Sequence, residues 1–145
     1  MSPPGGSGTT SGQVLEALLI PVAQKNHYQI ESQVWIGAGL GGGKHRLDAL
    51  LTADNAEKIA VSLKWQGGPG SVDEKVPYEV VKLLTLMDEH AELKRAYIII
   101  GGNGFRPRLV AYYRSGDLCK YVPAAGRVKI VSIDEFMTLC QRREL

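Results

Sequence analysis

The spacing of apolar side chains divides the chain into alternating helices and strands. Apolar residues recur at helical spacing from Val14 to Val22 and predict a first helix that ends near Asn26, with a kink or an early stop at Pro21. Three segments rich in β-branched and aromatic residues, 28–36, 45–52 and 58–65, predict strands. Because short turns and loops separate them, we expect an antiparallel meander.

The second half of the chain alternates between helix and strand. A second helix is predicted where apolar residues face one way between positions 76 and 87, with its start marked either by a Ser71–Glu74 capping box or by Pro77 in its first turn. The apolar run 95–100 is typical of a buried parallel strand. The last predicted elements are a helix, a strand and a helix capped by Ser132 and Glu135, at residues 109–114, 128–131 and 133–143.

This order of elements predicts an α/β fold with a mixed central sheet flanked by helices. Residues 13–145 are expected to form a single domain. Residues 1–12, which read MSPPGGSGTTSG, lack the apolar run of a secretory signal and are predicted to be a flexible leader.

Composition adds little to this picture, although it excludes some classes of protein. The chain has 44% hydrophobic and 22% charged residues, as one globular domain does, and its longest apolar stretch is far too short to cross a membrane. Cys119 and Cys140 lack the spacing of a zinc site or a disulfide framework, which favours a reducing, cytoplasmic setting. A net charge of +2 does not by itself indicate a nucleic-acid partner.

The two neighbouring strands 45–52 and 58–65 carry a candidate site. If Ala53 pairs with Glu57 across a three-residue turn, Asp48 lies opposite Ser62 and diagonal to Lys64. Diagonal neighbours are about 7–8 Å apart, which leaves room for a metal ion and a phosphate oxygen. A loop one residue longer would place the two residues on opposite faces of the sheet.

A carboxylate and a lysine in this arrangement suit phosphodiester hydrolysis. Magnesium prefers oxygen ligands, and a lysine beside the metal orients or deprotonates the attacking water. The alternative interpretation is an ordinary salt bridge from Asp48 to Arg46 or Lys64. Alternation along the strand assigns Leu47, Ala49 and Leu51 to the core face and Asp48 to the polar face.

Around Asp48 and Lys64, in RLDALL and VSLKWQ, the chain resembles the PD-(D/E)xK nuclease superfamily, which includes restriction endonucleases and Holliday-junction resolvases. The resemblance spans roughly residues 13–102 and also rests on the αβββαβ order of elements. It implies a restriction-endonuclease-like core and a Mg²⁺-dependent DNA endonuclease, with Mn²⁺ as a substitute. It further implies a homodimer, since small nucleases of this architecture commonly pair to cut both strands.

The resemblance also assigns roles to individual residues. It implies that Asp48 binds the metal, that the Leu63 carbonyl completes the ligand set and that Lys64 acts on the water. Members of the family usually carry an acid two residues before this lysine, where this chain has Ser62.

Four further residues follow from the resemblance. Glu79 or Glu74 is implied as the displaced carboxylate, although Glu74 is equally a candidate for helix capping. Glu16 on the first helix is implied to reach the metal through water, and Gln66 to hold phosphate or a ligand. The missing acid at Ser62 motivates the alternative function, a catalytically silent nucleic-acid-binding or assembly module that retains the fold.

The glycine-rich segment GAGLGGGK lacks the spacing of a nucleotide-binding loop and leads into a strand. Basic residues flank the candidate site and are expected either to contact DNA phosphates or to form a solvated surface; they are Lys44, His45, Arg46, Lys75 and Lys82.

Overall fold

A computed structural model of the protein describes residues 10–145. Its helices are α1 (Thr10–Val14), α2 (Ile20–Lys25), α3 (Val76–Glu89), α4 (Pro107–Ser115) and α5 (Ile133–Arg142). Its strands are β1 (Gln29–Ile36), β2 (His45–Thr52), β3 (Lys58–Trp65), β4 (Leu93–Gly101) and β5 (Val128–Ser132). The predicted order of helices and strands is confirmed. Within the described residues, no helix is long and apolar enough to span a bilayer.

The first helix is continuous but changes its winding. A π-helical turn, Leu15–Leu19, joins α1 to α2, and the Ile20 N–H donates to the carbonyl of Leu15, five residues back. Pro21 has no N–H to donate, so the wider turn lets the helix continue where a kink or stop was predicted. Residues 1–9 of the predicted leader lie outside the described residues. Its last three residues, 10–12, are helical, which corrects the leader prediction there.

The five strands form one sheet in the order β1-β2-β3-β4-β5. β1, β2 and β3 are antiparallel neighbours, as the meander prediction requires, whereas β4 is parallel to both β3 and β5. The Ala53 N–H donates to the Glu57 carbonyl at 2.9 Å, and Ala49 pairs with Val61. The predicted register of β2 and β3 is therefore confirmed, and by continuation it sets Asp48 opposite Ser62.

Both faces of the sheet are buried, which corrects the division into a core face and a polar face. On one face α3 packs over a core that includes Leu50, Ala60, Val80, Leu83, Ala96 and Ile98. On the other face, the first helix and α5 pack against the sheet around a second core, which includes Leu15, Leu19, Leu51, Val61, Ile99 and Phe136. Parallel strands with helices on both sides bury both faces, so alternation marks which core a residue enters and not whether it is exposed.

The two helix starts differ in their capping. Ser132 and Glu135 form the predicted capping box of α5, with the Glu135 N–H donating to the Ser132 hydroxyl at 3.1 Å. Ser71 precedes a short 3₁₀ helix, Val72–Lys75, instead of α3, and its side chain makes no capping hydrogen bond, so the predicted Ser71–Glu74 capping box of α3 is wrong. Proline at the start of α3 is the signal that the structure bears out.

Candidate functional site

The candidate site lies where β2 and β3 separate. Their ladder ends at the Ala49–Val61 pair, while β2 continues along β1 to His45 and β3 continues along β4 to Trp65. Beyond the Ala49–Val61 pair the two strands therefore diverge. The gap between them is a fork that is open toward His45 and Trp65. Asp48 is the first residue of β2 beyond the last pair.

Asp48 fills the vertex of this fork. Its Oδ2 accepts a hydrogen bond of 2.6 Å from the Leu63 N–H, which has lost its strand partner across the fork. The N–H and C=O of one strand residue point to the same side, so the Leu63 carbonyl is also directed toward β2. The fork therefore contains a carboxylate and a backbone carbonyl oxygen.

The backbone around Asp48 is irregular. β1 and β2 pair in one register on both sides of position 48, but the Gln33–Asp48 pair itself is missing, and Gln33 has φ 54°. Leu47 packs into the core under α3, whereas Ala49 packs into the opposite core. This corrects the prediction that Leu47 and Ala49 share a face. A positive φ at a non-glycine residue is costly, and it accompanies the distortion that turns Asp48 toward β3.

Lys64 and Glu79 meet beside the fork. Lys64 extends from β3 toward α3, and its Nζ lies 3.0 Å from Oε1 of Glu79, which is in the first turn of the helix. The Glu79 side chain is only 8% exposed, so its charge depends on protein partners. A second lysine, Lys82, places its Nζ 3.7 Å from the same oxygen.

The charge of Asp48 is set by opposing influences. Burial raises the pKa of Asp48 above its ordinary value, and the negative charge of Glu79 acts in the same direction. The hydrogen bond from Leu63 and the positive charge of Lys64 oppose this rise in pKa. Asp48 is thus a partly desolvated carboxylate that gains from a further cation nearby.

Gln66 has a different place from the one predicted. Its side chain is buried, donating to the Gly104 carbonyl and accepting from the Asp73 N–H, both at 2.8 Å. Both ends of the amide are therefore used to join the loop after β3 to the loop after β4. The structure supports a bracing function for Gln66, and its predicted contact with phosphate stays a prediction.

An ion pair between the buried Asp73 and the partly exposed Arg106 continues this brace. Arg106 donates to the Asp73 carboxylate through its side chain at 2.6 Å and 2.9 Å and through its backbone N–H at 3.0 Å. The Arg106 side-chain bond is the largest influence that lowers the pKa of Asp73, to about 2, and Asp73 in turn raises the pKa of Arg106. Sequence reasoning missed this pair, since no motif or spacing links two residues so far apart in the chain.

The two alternative glutamates lie elsewhere. Glu74 is 59% exposed and pairs with Arg106 at 3.2 Å, so it belongs to the brace. Glu16 is exposed on the π-helical turn, whose residues Leu15 and Leu19 pack on the face of the sheet opposite α3. Of the three glutamates, the structure brings Glu79 to Lys64. The predicted metal-binding function of Glu16 stays a prediction.

The chemistry of these groups suits a magnesium-type ion. Within residues 10–145, no three His, Cys, Asp or Glu side chains cluster as metal ligands, as a zinc site would require. Asp48, Glu79 and the Leu63 carbonyl supply hard oxygen atoms, and the negative charge of Glu79 helps to raise the pKa of Asp48. Magnesium is commonly held by one or two carboxylates, with water and substrate phosphates as the other ligands.

The chain matches a known protein family over most of its length. The family model of the PD-(D/E)XK nuclease superfamily domain matches residues 7–144. The chain belongs to the PD-(D/E)XK nuclease superfamily. Members of this superfamily are generally nucleases and typically use divalent metals, and the mixed sheet of this domain is the restriction-endonuclease-like fold.

The chain also has a distant similarity to a solved structure. The chain is similar to the crystal structure of protein VC1899 from Vibrio cholerae, with 18% identity and a TM-score of 0.48. The match covers 92% of this chain and 33% of that protein, so this chain spans about a third of its length. No curated protein sequence matches this superfamily member.

Proposed function

We propose that the domain is a divalent-metal-dependent endonuclease that hydrolyses phosphodiester bonds in DNA. The observation that carries the proposal is the fork between β2 and β3, where the partly buried Asp48 lies beside the Lys64–Glu79 ion pair. A desolvated carboxylate, a second carboxylate and a lysine at an opening in the sheet are the groups that metal-assisted hydrolysis requires.

Each group has a distinct task in this proposal. Asp48, Glu79 and the Leu63 carbonyl would hold Mg²⁺, for which Mn²⁺ would substitute. The bound ion would lower the pKa of a water ligand and offset the negative charge that develops on the phosphate. Lys64 would orient the attacking water or take its proton.

The surroundings of the fork support DNA as the substrate. Arg46 on β2 is exposed and close enough to lower the pKa of Asp48. Lys75 is exposed just before α3. Such groups attract the phosphate backbone without reading its sequence. Residues 10–145 form one such fork, which would cut one strand, so we propose a homodimer for cutting both strands.

Plasmid and branched DNA, incubated with Mg²⁺ or with a chelator, test the activity. Cleavage is expected with Mg²⁺ only, and Asp48→Asn and Lys64→Met should each reduce its rate by about 10²-fold or more. Asp117→Asn is the matched control, because Asp117 is half exposed and pairs with Lys120. Wild-type rates in both site variants would refute the assignment of the site.

A second pair of variants decides between the two glutamates. Glu79→Gln should lose activity to the same extent as Asp48→Asn, because it removes a proposed metal ligand. Glu74→Gln should keep it, since Glu74 contacts Arg106 and is mostly exposed. The reverse outcome would transfer the predicted role to Glu74.

Ser62 favours a second candidate function, a silent nucleic-acid-binding or assembly module. It lies where the superfamily usually has an acid, and it is buried at 3% exposure. Titration calorimetry with Mn²⁺ separates the candidates, since a nuclease should bind the ion in wild type and lose binding in Asp48→Asn. A silent module should bind no ion in either protein.

A further inference from the structure

Lys82 is a charged group beside the fork that the proposed reaction leaves without a task. Its Nζ lies 3.7 Å from Oε1 of Glu79, while the Nζ of Lys64 lies 3.0 Å from the same oxygen. Both lysine side chains are 25% exposed, so each lies between the buried carboxylate and solvent. One lysine would be enough to neutralise one glutamate.

The charges at the fork explain why two lysines are present. Asp48 and Glu79 carry two negative charges, and Lys64 and Lys82 carry two positive ones, so these four groups are neutral together. A divalent cation held by the two carboxylates would bring the sum to +2. It would repel both ammonium groups from Glu79 and leave an excess of positive charge for phosphates.

An exposed aromatic ring lies beside the Lys82 side chain. Its Nζ lies 5.7 Å from the centre of the Tyr78 ring, which is 60% exposed on the outer surface of α3. The face of an aromatic ring attracts an ammonium group, and the flexible lysine stem allows it to turn outward. Turned away from Glu79, Lys82 would reach solvent on this surface of α3.

We propose that Lys82 is a further phosphate-binding residue, which neutralises Glu79 until the metal binds and then contacts the DNA backbone. The inference rests on the proposed function. It requires that Lys82 oppose metal binding in the free protein and favour DNA binding in the complex. Removing Lys82 therefore changes the two affinities in opposite directions, which loss of a merely structural residue would not do.

The test compares Lys82→Met with Lys94→Met, which removes the same charge. Lys94 is exposed near the start of β4. Ile100, the residue of β4 that pairs with Lys64, lies six residues farther along the strand, so Lys94 is about 20 Å from Lys64. Calorimetry without DNA should show Mn²⁺ binding about fivefold tighter in Lys82→Met than in Lys94→Met, within the usual range of coupling between two bound groups.

DNA binding is measured by anisotropy of a labelled duplex with Mn²⁺ present, in the Lys64→Met background that leaves the strand intact. Lys82→Met should bind about fivefold more weakly, and the slope of log K against log salt should fall by about one. Lys82→Arg should restore the affinity, because it keeps the charge. Lys82→Gln provides a second neutral variant if Lys82→Met does not fold.

The outcomes separate the two proposals. Absence of Mn²⁺ binding in the wild-type protein overturns the proposed function. Mn²⁺ binding in wild type together with equal Mn²⁺ and DNA affinities in Lys82→Met and Lys94→Met overturns the inference alone. Weaker Mn²⁺ binding in Lys82→Met also overturns it, since Lys82 would then support the metal site.

Discussion

At the scale of single residues, two aspartates show how surroundings determine the task of a carboxylate. Asp48 has its pKa raised by burial and holds one hydrogen bond, from Leu63, so it has capacity for a cation. Asp73 is more completely buried than Asp48, but three hydrogen bonds from Arg106 already satisfy it, and its pKa is lowered to about 2. Asp48 therefore suits a cation-binding site, whereas Asp73 suits a structural brace between loops.

The Asp73–Arg106 pair predicts how stability depends on pH. Because the pKa of Asp73 falls from 3.8 to about 2 on folding, its stabilisation is complete above the unfolded value and is lost as pH falls toward 2. Arg106→Gln should be less stable than wild type at neutral pH, and the difference should shrink between about pH 4 and about pH 2. Urea denaturation across this range measures it.

The control for this prediction is Arg127→Gln, which breaks the exposed pair with Asp88 and should change stability little. A difference between wild type and Arg106→Gln that stays constant across the acid range would contradict the prediction.

Gln66 gives a second prediction about stability. Gln66→Leu leaves the Asp73 N–H and the Gly104 carbonyl without their side-chain partner, and we expect a loss of about 2–4 kcal/mol in the free energy of unfolding. Gln141→Leu on the exposed side of α5 is the matched control and should stay near wild type. Equal unfolding midpoints in urea for the two variants would show that Gln66 is not a brace.

At the scale of elements, the loops that follow β3 and β4 pack backbone against backbone. A Cβ on Gly104 would lie 2.3 Å from the Gly68 carbonyl oxygen, and one on Gly102 would lie 2.3 Å from that of Gln66. The Gly104 N–H also donates to the Gln66 carbonyl at 2.7 Å. Gly102 and Gly104 are therefore sites of close backbone approach.

This contact predicts unequal effects for two similar substitutions. Gly104→Ala must push the two loops apart, and we expect its thermal midpoint to fall by more than about 5 °C. Gly68→Ala should fold like wild type, because its added Cβ meets nothing within 4 Å. Calorimetric melting of both variants tests the contact, and a stable Gly104→Ala protein would argue against it.

The element patterns also show which local signals were sufficient. The bounds of β2 and β3 were predicted from β-formers around a short polar turn, and the register followed from that turn. The π-helical turn before Pro21 and the irregular backbone at Gln33 were not predicted. The π-helical turn and the irregular backbone depend on packing against other elements, and a local sequence pattern does not contain that information.

At the scale of the whole molecule, the single fork in the described part of the chain leads to a prediction about assembly. If two copies cut opposite strands, sedimentation should show a dimer, and linear plasmid should appear at the protein concentrations where the dimer forms. At lower protein concentrations, nicked circular plasmid should accumulate. A monomer that yields linear DNA at the same rate at every concentration would contradict the homodimer.

The sequence by itself determined the order of elements and, given a three-residue turn, the register of β2 with β3, because periodicity and turn length are local properties. It also placed Asp48 and Lys64 as neighbours. Only the tertiary structure decided which glutamate joins them: Glu79 is in the turn of α3 that packs over Lys64, whereas Glu74 is drawn to Arg106. Spacing along the chain allowed both, and the packing of α3 against the sheet allowed one.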